Sequence, residues 1–266
     1  AHRAFLRKCG YNGNMTKDVV YGPRELGGIN FDHLYDIQGL GQIQHLLKAW
    51  RCSRTHQGKL IQIAMQWAQV HTGVGWQILM EPERKLPHLD IKIDKAKWIV
   101  SIRQFLCDIQ GSIELTQETA GIPALQREHD LHLMDHFLTL KLSAKALQRI
   151  NYCRLYLNVH TLSDITNATG TDIDPAFYQG DLTLLTNRTA PSIWHKINQP
   201  RPGHSCWREW QKACRSLCHR TTQERRQLKT PLGNWIVPPE DCRIPWKFWL
   251  DWPNAHLYQV TPNSDY

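Results

Sequence analysis

The feature that most constrains the fold is the spacing of apolar side chains, which recur at three- and four-residue steps through much of the first 160 or so residues. Between residues 31 and 50 the spacing is regular, as is typical of an amphipathic helix. We predict Asp32 as the N-cap of this helix, and close packing as the reason for Gly39 and Gly41. The apolar stripe consists of Phe31, Leu34, Ile37, Leu40, Ile43, Leu46, Leu47 and Trp50.

The same spacing predicts four further helices. One covers about 55–71, and another follows Asp94 and stops before Gly111. Two more cover 130–140 and 143–157, with Ser143 as the cap of the second. Residues 113–115 could form a short strand. The predicted inner face of the helix at 55–71 consists of Leu60, Ile63, Ala64, Trp67 and Ala68, and that of the helix after Asp94 consists of Trp98, Ile102, Phe105, Leu106 and Ile109.

The character of the chain changes after residue 166. Residues 167–201 are rich in Thr, Asn, Asp, Gly and Pro and have little periodicity, which predicts an irregular linker and a domain boundary. A basic helix is predicted at 206–218, and the aromatic tail behind it favours short strands. We therefore predict a mainly α fold, in which a helical body is followed by an irregular linker, the basic helix and a small Trp-rich tail containing β-strands. The aromatic residues of the tail are Trp235, Trp246, Trp249, Trp252 and Tyr258.

Bulk composition excludes several classes of protein. The chain has 41% hydrophobic and 21% charged residues, as a globular protein does and a disordered one does not. Its apolar runs are far shorter than the roughly 20 residues of a membrane-spanning helix, so we expect no membrane association. Eight irregularly spaced cysteines indicate free thiols in a reducing compartment, and hence an intracellular protein of the nucleus or cytoplasm.

Positive charge is concentrated in one segment. The formal net charge is +8, and residues 201–229 contain eight Lys and Arg against two Glu, which gives 8 − 2 = +6. On a helix, Arg208, Lys212 and Arg215 share one face, as a phosphate-binding ridge requires. The alternative is an ordinary solvated basic surface. The candidate nucleic-acid-binding residues are Arg201, Arg208, Lys212, Arg215, Arg220, Arg225 and Arg226.

Signatures of catalysis are absent from the sequence. A polymerase centre needs two carboxylates that hold metal ions close together, and the chain has no adjacent Asp-Asp pair. Asp32 and Asp36 fit the cap and first turn of a helix better than a metal site. Gly58-Lys59 continues with Leu60, which does not fit a phosphate-binding loop. We therefore predict no catalytic residue, no resident metal and no cofactor.

Two residue clusters leave alternatives open. Cys206, Cys214, Cys218 and His219 offer soft ligands for zinc, but they lack the paired short knuckles of zinc modules, and buried cysteines often pack as small apolar residues. The tryptophans of the tail are able to stack on unpaired bases. They are also needed to build any core there, and we favour that role.

Several sequence blocks resemble the region that follows the polymerase core in retrotransposon reverse transcriptases, as in diatom-type elements. They are Ala4-Phe5-Leu6-Arg7-Lys8-Cys9-Gly10-Tyr11-Asn12, Val20-Tyr21-Gly22-Pro23-Arg24-Glu25-Leu26-Gly27-Gly28-Ile29, His33-Leu34-Tyr35-Asp36-Ile37-Gln38-Gly39, Trp98-Ile99-Val100-Ser101-Ile102-Arg103-Gln104-Phe105-Leu106, Asn151-Tyr152-Cys153-Arg154-Leu155-Tyr156-Leu157 and Thr161-Leu162-Ser163-Asp164-Ile165. The resemblance implies that the catalytic palm of the polymerase precedes Ala1, so that this chain alone is inactive.

On that basis the chain divides into four segments. Residues 1–30 end the upstream polymerase region, 31–166 form a helical thumb- or connection-like domain, 167–203 form the linker, and 204–266 hold the basic helix and Trp-rich tail. The leading hypothesis is a segment that contacts RNA and DNA as template and primer. The alternatives are a non-enzymatic degenerate fragment or protein-interaction scaffold, and a zinc-stabilised basic module.

Overall fold

A computed structural model describes residues 2–89, 97–115, 121–181, 200–219, 226–236, 247–251 and 256–260. Helices predominate, so the predicted mainly α fold class is confirmed. No helix in these ranges has the length and apolar character needed to cross a membrane. The helices are α1 (His2–Lys8), α2 (Lys17–Tyr21), α3 (Leu34–Arg51), α4 (His56–Thr72), α5 (Lys97–Asp108), α6 (Leu133–Thr139), α7 (Ala144–Leu157), α8 (Leu162–Ile165), α9 (Pro175–Gln179) and α10 (His204–Leu217).

The chain divides into two compact units that are each built from separate stretches of sequence. The first unit comprises residues 1–61 and 98–111, and the second comprises 62–97 and 112–266. Helix α4 contributes its first turns to one unit and its remaining turns to the other. The four segments proposed from the sequence are divisions by expected role, and they stay predictions.

The core of the first unit brings α5 against α3. Phe105 of α5 is buried and packs on Gly39, where a Cβ atom would overlap its ring. Gly39 is therefore required by this close approach, as predicted, whereas Gly41 faces open space. Ser101 donates a hydrogen bond to the Gln42 side chain at 3.1 Å and adds a polar link between the two helices.

The predicted apolar stripe of α3 is wrong over its N-terminal half. Leu34, Ile37 and Leu40 are 68%, 51% and 51% exposed, whereas Leu46 is 1% exposed. The predicted cap is also wrong, because α3 begins after His33 and Asp32 is not its N-cap residue. Apolar spacing identifies a helix, but it does not identify the part of the stripe that a neighbouring helix covers.

The predicted inner faces of the next two helices are wrong in part for the same reason. Leu60 and Ile63 of α4 are 66% and 46% exposed, whereas Ala68 is buried as predicted and Met65, which was not predicted, is buried too. In α5, Ile102, Phe105 and Leu106 are buried as predicted, whereas Ile109 lies beyond the end of the helix and is 48% exposed. Asp94, the expected start signal of α5, lies outside the described residues.

In the second unit, α6, α7, α9 and α10 form the main core. Trp210 of α10 is fully buried, and its ring meets the Phe137 ring of α6 edge to face at 5.9 Å. Helix α7 begins after Ser143, whose hydroxyl accepts a hydrogen bond from the Ala146 amide at 3.2 Å, as the sequence predicted. Residues 113–115 form no strand, although Ile113 and Leu115 are buried.

A fully buried arginine cross-links this unit. The Arg154 guanidinium donates hydrogen bonds to the Asn151 side chain at 2.8 Å and to the carbonyl oxygens of Val70 at 2.7 Å, His71 at 3.0 Å and Val159 at 3.3 Å. It also lies 2.9 Å from Nδ1 of His160. The arginine thus joins the end of α4 to the end of α7 and the turn that follows.

The described part of the predicted linker is built into the second unit. Residues 167–181 include α9, and Ile173 and Phe177 there are buried. Residues 182–199 lie outside the described residues. In the tail, strands β1 (Lys247–Asp251) and β2 (His256–Val260) pair antiparallel. Trp246 and Trp252 lie outside the described residues.

Candidate nucleic-acid interface

Helix α10 is held in one orientation by its buried face. Trp207 and Trp210 are buried, and Nε1 of Trp210 donates a hydrogen bond to the carbonyl oxygen of Phe177 at 3.0 Å. The Tyr156 ring of α7 meets the Trp207 ring edge to face at 5.9 Å. Because both tryptophans are fixed in the core, the opposite face of α10 is fixed toward solvent.

That opposite face carries the predicted basic ridge, which consists of Arg208, Lys212 and Arg215. All three residues are exposed, and the side chains of Arg208 and Lys212 are 61% and 57% accessible. At 1.5 Å of rise per residue, the ridge spans about 10 Å along the helix, roughly three steps of the 3.4 Å rise of a nucleic-acid strand along its axis. The structure therefore brings these three predicted residues together.

The Glu209 carboxylate partly neutralises the ridge. Glu209 lies 3.3 Å from Nζ of Lys212 and 3.9 Å from Nε of Arg208, and its own side chain is only 13% accessible. Exposed ion pairs of this kind contribute at most about 1 kcal/mol, so both cations can exchange Glu209 for a phosphate.

Helix α9 borders the ridge on the side of Arg215. Nε of Arg215 donates a hydrogen bond to the Tyr178 hydroxyl at 2.7 Å, and the Gln211 side chain donates to the Tyr178 carbonyl oxygen at 3.4 Å. Tyr178 was missed because it falls in the predicted linker. A local signal was present, since Asp174 followed by Pro175 is a typical helix start, and Asp174 does cap α9.

The remaining predicted cations lie at the ends of α10 or outside the described residues. Arg201 is exposed just before the helix, and Arg226 is exposed at the start of the segment whose next residues pair with the end of α10. In that segment, Nζ of Lys229 donates a hydrogen bond to the Ser216 carbonyl oxygen at 2.6 Å. Arg220 and Arg225 lie outside the described residues.

Two of the four candidate zinc ligands, Cys214 of α10 and Cys218 directly after it, belong to the core rather than the ridge, whereas Cys206 is half-buried and His219 is exposed. Cys214 and Cys218 are fully buried, and burial raises the pKa of the Cys214 thiol well above its usual range and that of Cys218 to about 11. Among the residues that the structure describes, no three His, Cys, Asp or Glu are arranged to hold a metal ion.

Comparison with protein-family models, with curated proteins and with solved structures finds no match for this chain. The resemblance to reverse transcriptases therefore rests on the sequence blocks quoted above.

Proposed function

We propose that this chain is part of a retrotransposon RNA-directed DNA polymerase, namely a thumb or connection segment that holds template-primer nucleic acid. The observation that carries the proposal is the basic ridge, in which three exposed cations stand on one face of a helix whose other face is locked in the core. The sequence blocks agree with this role. The proposal includes an intracellular location and the Trp-rich tail as the sequence predicted it.

The proposed role is to hold nucleic acid and not to carry out chemistry. Phosphate contacts fix the position of a duplex without reading its sequence, and cations on a rigid helix suit that task. The strength of such binding falls steeply with salt, because each phosphate contact releases a condensed counterion.

The test is the affinity of the purified chain for an RNA-DNA hybrid and for single-stranded RNA over a salt series. In the triple variant Arg208→Glu, Lys212→Glu and Arg215→Glu, we expect affinity to fall by about tenfold or more at low salt. The slope of log K against log salt should become shallower by about 2 to 3. The opposite change, Glu209→Gln, should strengthen binding, because it removes the carboxylate that competes with phosphate.

A matched control separates the ridge from net charge. The variant Lys17→Glu, Arg54→Glu and Lys59→Glu reverses three exposed cations at or just before helix starts, where Glu is well tolerated. Both triple variants have the same net charge. Equal losses in the two variants, or no binding by the unmodified chain at low salt, would contradict the proposal.

The second candidate function is a protein-interaction scaffold or degenerate fragment without a nucleic-acid role. The exposed apolar side chains Leu34, Ile37 and Leu40 on α3 favour a scaffold, because soluble monomers seldom expose a contiguous apolar row. This candidate is favoured if the folded chain binds no nucleic acid at any salt concentration.

A further inference from the structure

The three cations of the basic ridge are not equivalent. Arg208 and Lys212 share the Glu209 carboxylate, whereas the described hydrogen-bond partner of Arg215 is the neutral hydroxyl of Tyr178. Arg215 therefore keeps its full charge for a ligand. A phosphate that approaches Arg208 or Lys212 also meets the negative charge of Glu209.

The contact between Arg215 and Tyr178 leaves several donors free at one place. Nε supplies one of the five N–H groups of the guanidinium, so the four on the terminal nitrogens stay available for a two-pronged contact with phosphate. The Tyr178 oxygen accepts from Nε at 2.7 Å and keeps its own hydrogen to donate. A phosphate that contacts the terminal nitrogens is thus within a few ångströms of a further donor.

Helix α9 is fixed to α10 firmly enough to hold this geometry. The Trp210 indole donates to the Phe177 carbonyl oxygen at 3.0 Å, one residue before Tyr178. Gly180, which ends α9 with φ near 74°, packs directly on the Trp207 ring, where a Cβ atom would overlap it. Ordering the Arg215 side chain before the ligand arrives lowers the entropy lost on binding.

We propose that Tyr178 and Arg215 form a phosphate clamp, in which Tyr178 positions the Arg215 guanidinium for two-pronged contact with one phosphodiester of a bound strand. This inference rests on the proposed function. It adds a positioning residue, Tyr178, and makes Arg215 the principal anchor of the ridge.

The test compares Tyr178→Phe and Arg215→Lys in the full chain, with the RNA-DNA hybrid as ligand. Tyr178→Phe removes only the hydroxyl, and we expect affinity to fall about five- to tenfold, because a charge-assisted hydrogen bond positions the guanidinium. Arg215→Lys keeps the charge but loses the fork, and a similar fall is expected. In both variants the salt slope should stay within about 0.3 of the unmodified value, since no charge is removed.

Two controls make the result decisive. Arg54→Lys makes the same substitution at an exposed arginine outside the ridge, and it should change affinity by no more than about twofold. The double variant Tyr178→Phe with Arg215→Lys should bind no more weakly than Arg215→Lys alone, because the two residues act as one unit. Urea unfolding of each variant checks that the fold is intact.

The outcomes separate this inference from the function on which it rests. If the unmodified chain binds and Tyr178→Phe binds equally well, or if the two losses simply add, the clamp is overturned and the ridge stands. If the unmodified chain does not bind at low salt, both fail together.

Discussion

Arg154 is the residue on which the second unit depends most. Its side chain is 0% exposed, and it satisfies four acceptors from three different places in the chain, on Asn151, Val70, His71 and Val159. Burial lowers its pKa to about 9, and the charge of the Asp164 carboxylate opposes that shift, so the guanidinium stays charged at neutral pH. Removal of this side chain leaves buried acceptors without donors, each of which costs about 1 to 3 kcal/mol.

We expect Arg154→Met to lower the free energy of unfolding by about 3 kcal/mol or more, because methionine fills the space without donating hydrogen bonds. Urea denaturation measures this. Lys145→Ala on the same helix is the control. Because Lys145 is exposed, this substitution should change the free energy of unfolding by no more than about 0.5 kcal/mol. Equal effects of the two substitutions would show that the arginine network contributes little.

Three histidines around Arg154 make stability depend on pH. Burial lowers the pKa of His71 and of His88 from 6.5 to about 4, and that of His160 to about 3. The positive charge of Arg154 lowers the pKa of all three histidines further, and His132 adds to the shift of His160. The hydrogen bond between His88 and the Thr72 carbonyl oxygen opposes the shift of His88. Below pH 6.5 the unfolded chain therefore binds protons that the folded chain does not.

Folding stability should thus be complete above about pH 6.5 and fall as the pH drops toward 4. Each histidine contributes at most about 1.4 kcal/mol per pH unit, so the combined slope near pH 5 is at most about 4 kcal/mol per unit. Denaturation at pH 7.5, 6 and 5 at constant salt measures it. His88→Asn keeps a donor for Thr72 and should remove about one third of the slope, whereas a flat profile from pH 7 to 5 would refute the assignment.

At the scale of one element, α5 packs on the face of α3 that carries Tyr35, Gly39 and Gln42, and the predicted stripe residues Leu34, Ile37 and Leu40 are exposed. Leu40 is 51% exposed and Leu46, six residues later, is 1% exposed. Leu40→Ser should lower the free energy of unfolding by less than about 1 kcal/mol, and Leu46→Ser by about 3 kcal/mol or more. Urea unfolding of the two variants measures the difference, and a larger loss for Leu40→Ser would mean that the face of α3 carrying Leu40 is covered.

These elements also show what the sequence predicts and what it does not. Apolar spacing and caps such as Ser143 predict where helices lie. The basic ridge of α10 could be predicted because helical spacing puts Arg208 on a different face from Trp207 and Trp210. Which face of α3 is covered depends on Phe105, which packs on Gly39 from more than 60 residues away, a contact that no local pattern contains. Tyr178 was missed because a five-residue helix is too short to show a period.

For the whole molecule, the distribution of charge matters more than its total. Of the formal net charge of +8, residues 201–229 supply +6, so the remaining residues together supply only +2. Any long-range attraction for a polyanion is therefore strongest at the segment that contains the basic ridge. The two triple variants described above have equal net charge and differ only in this distribution.

The first unit is discontinuous in sequence, because residues 62–97 separate α3 from α5. During synthesis Gly39 leaves the ribosome well before Phe105, the ring that packs on it. The ribosome adds about 5 to 20 residues per second, so several seconds pass between the synthesis of Gly39 and that of Phe105. Through that interval a nascent chain presents the whole apolar stripe of α3, which is the kind of segment that holding chaperones retain.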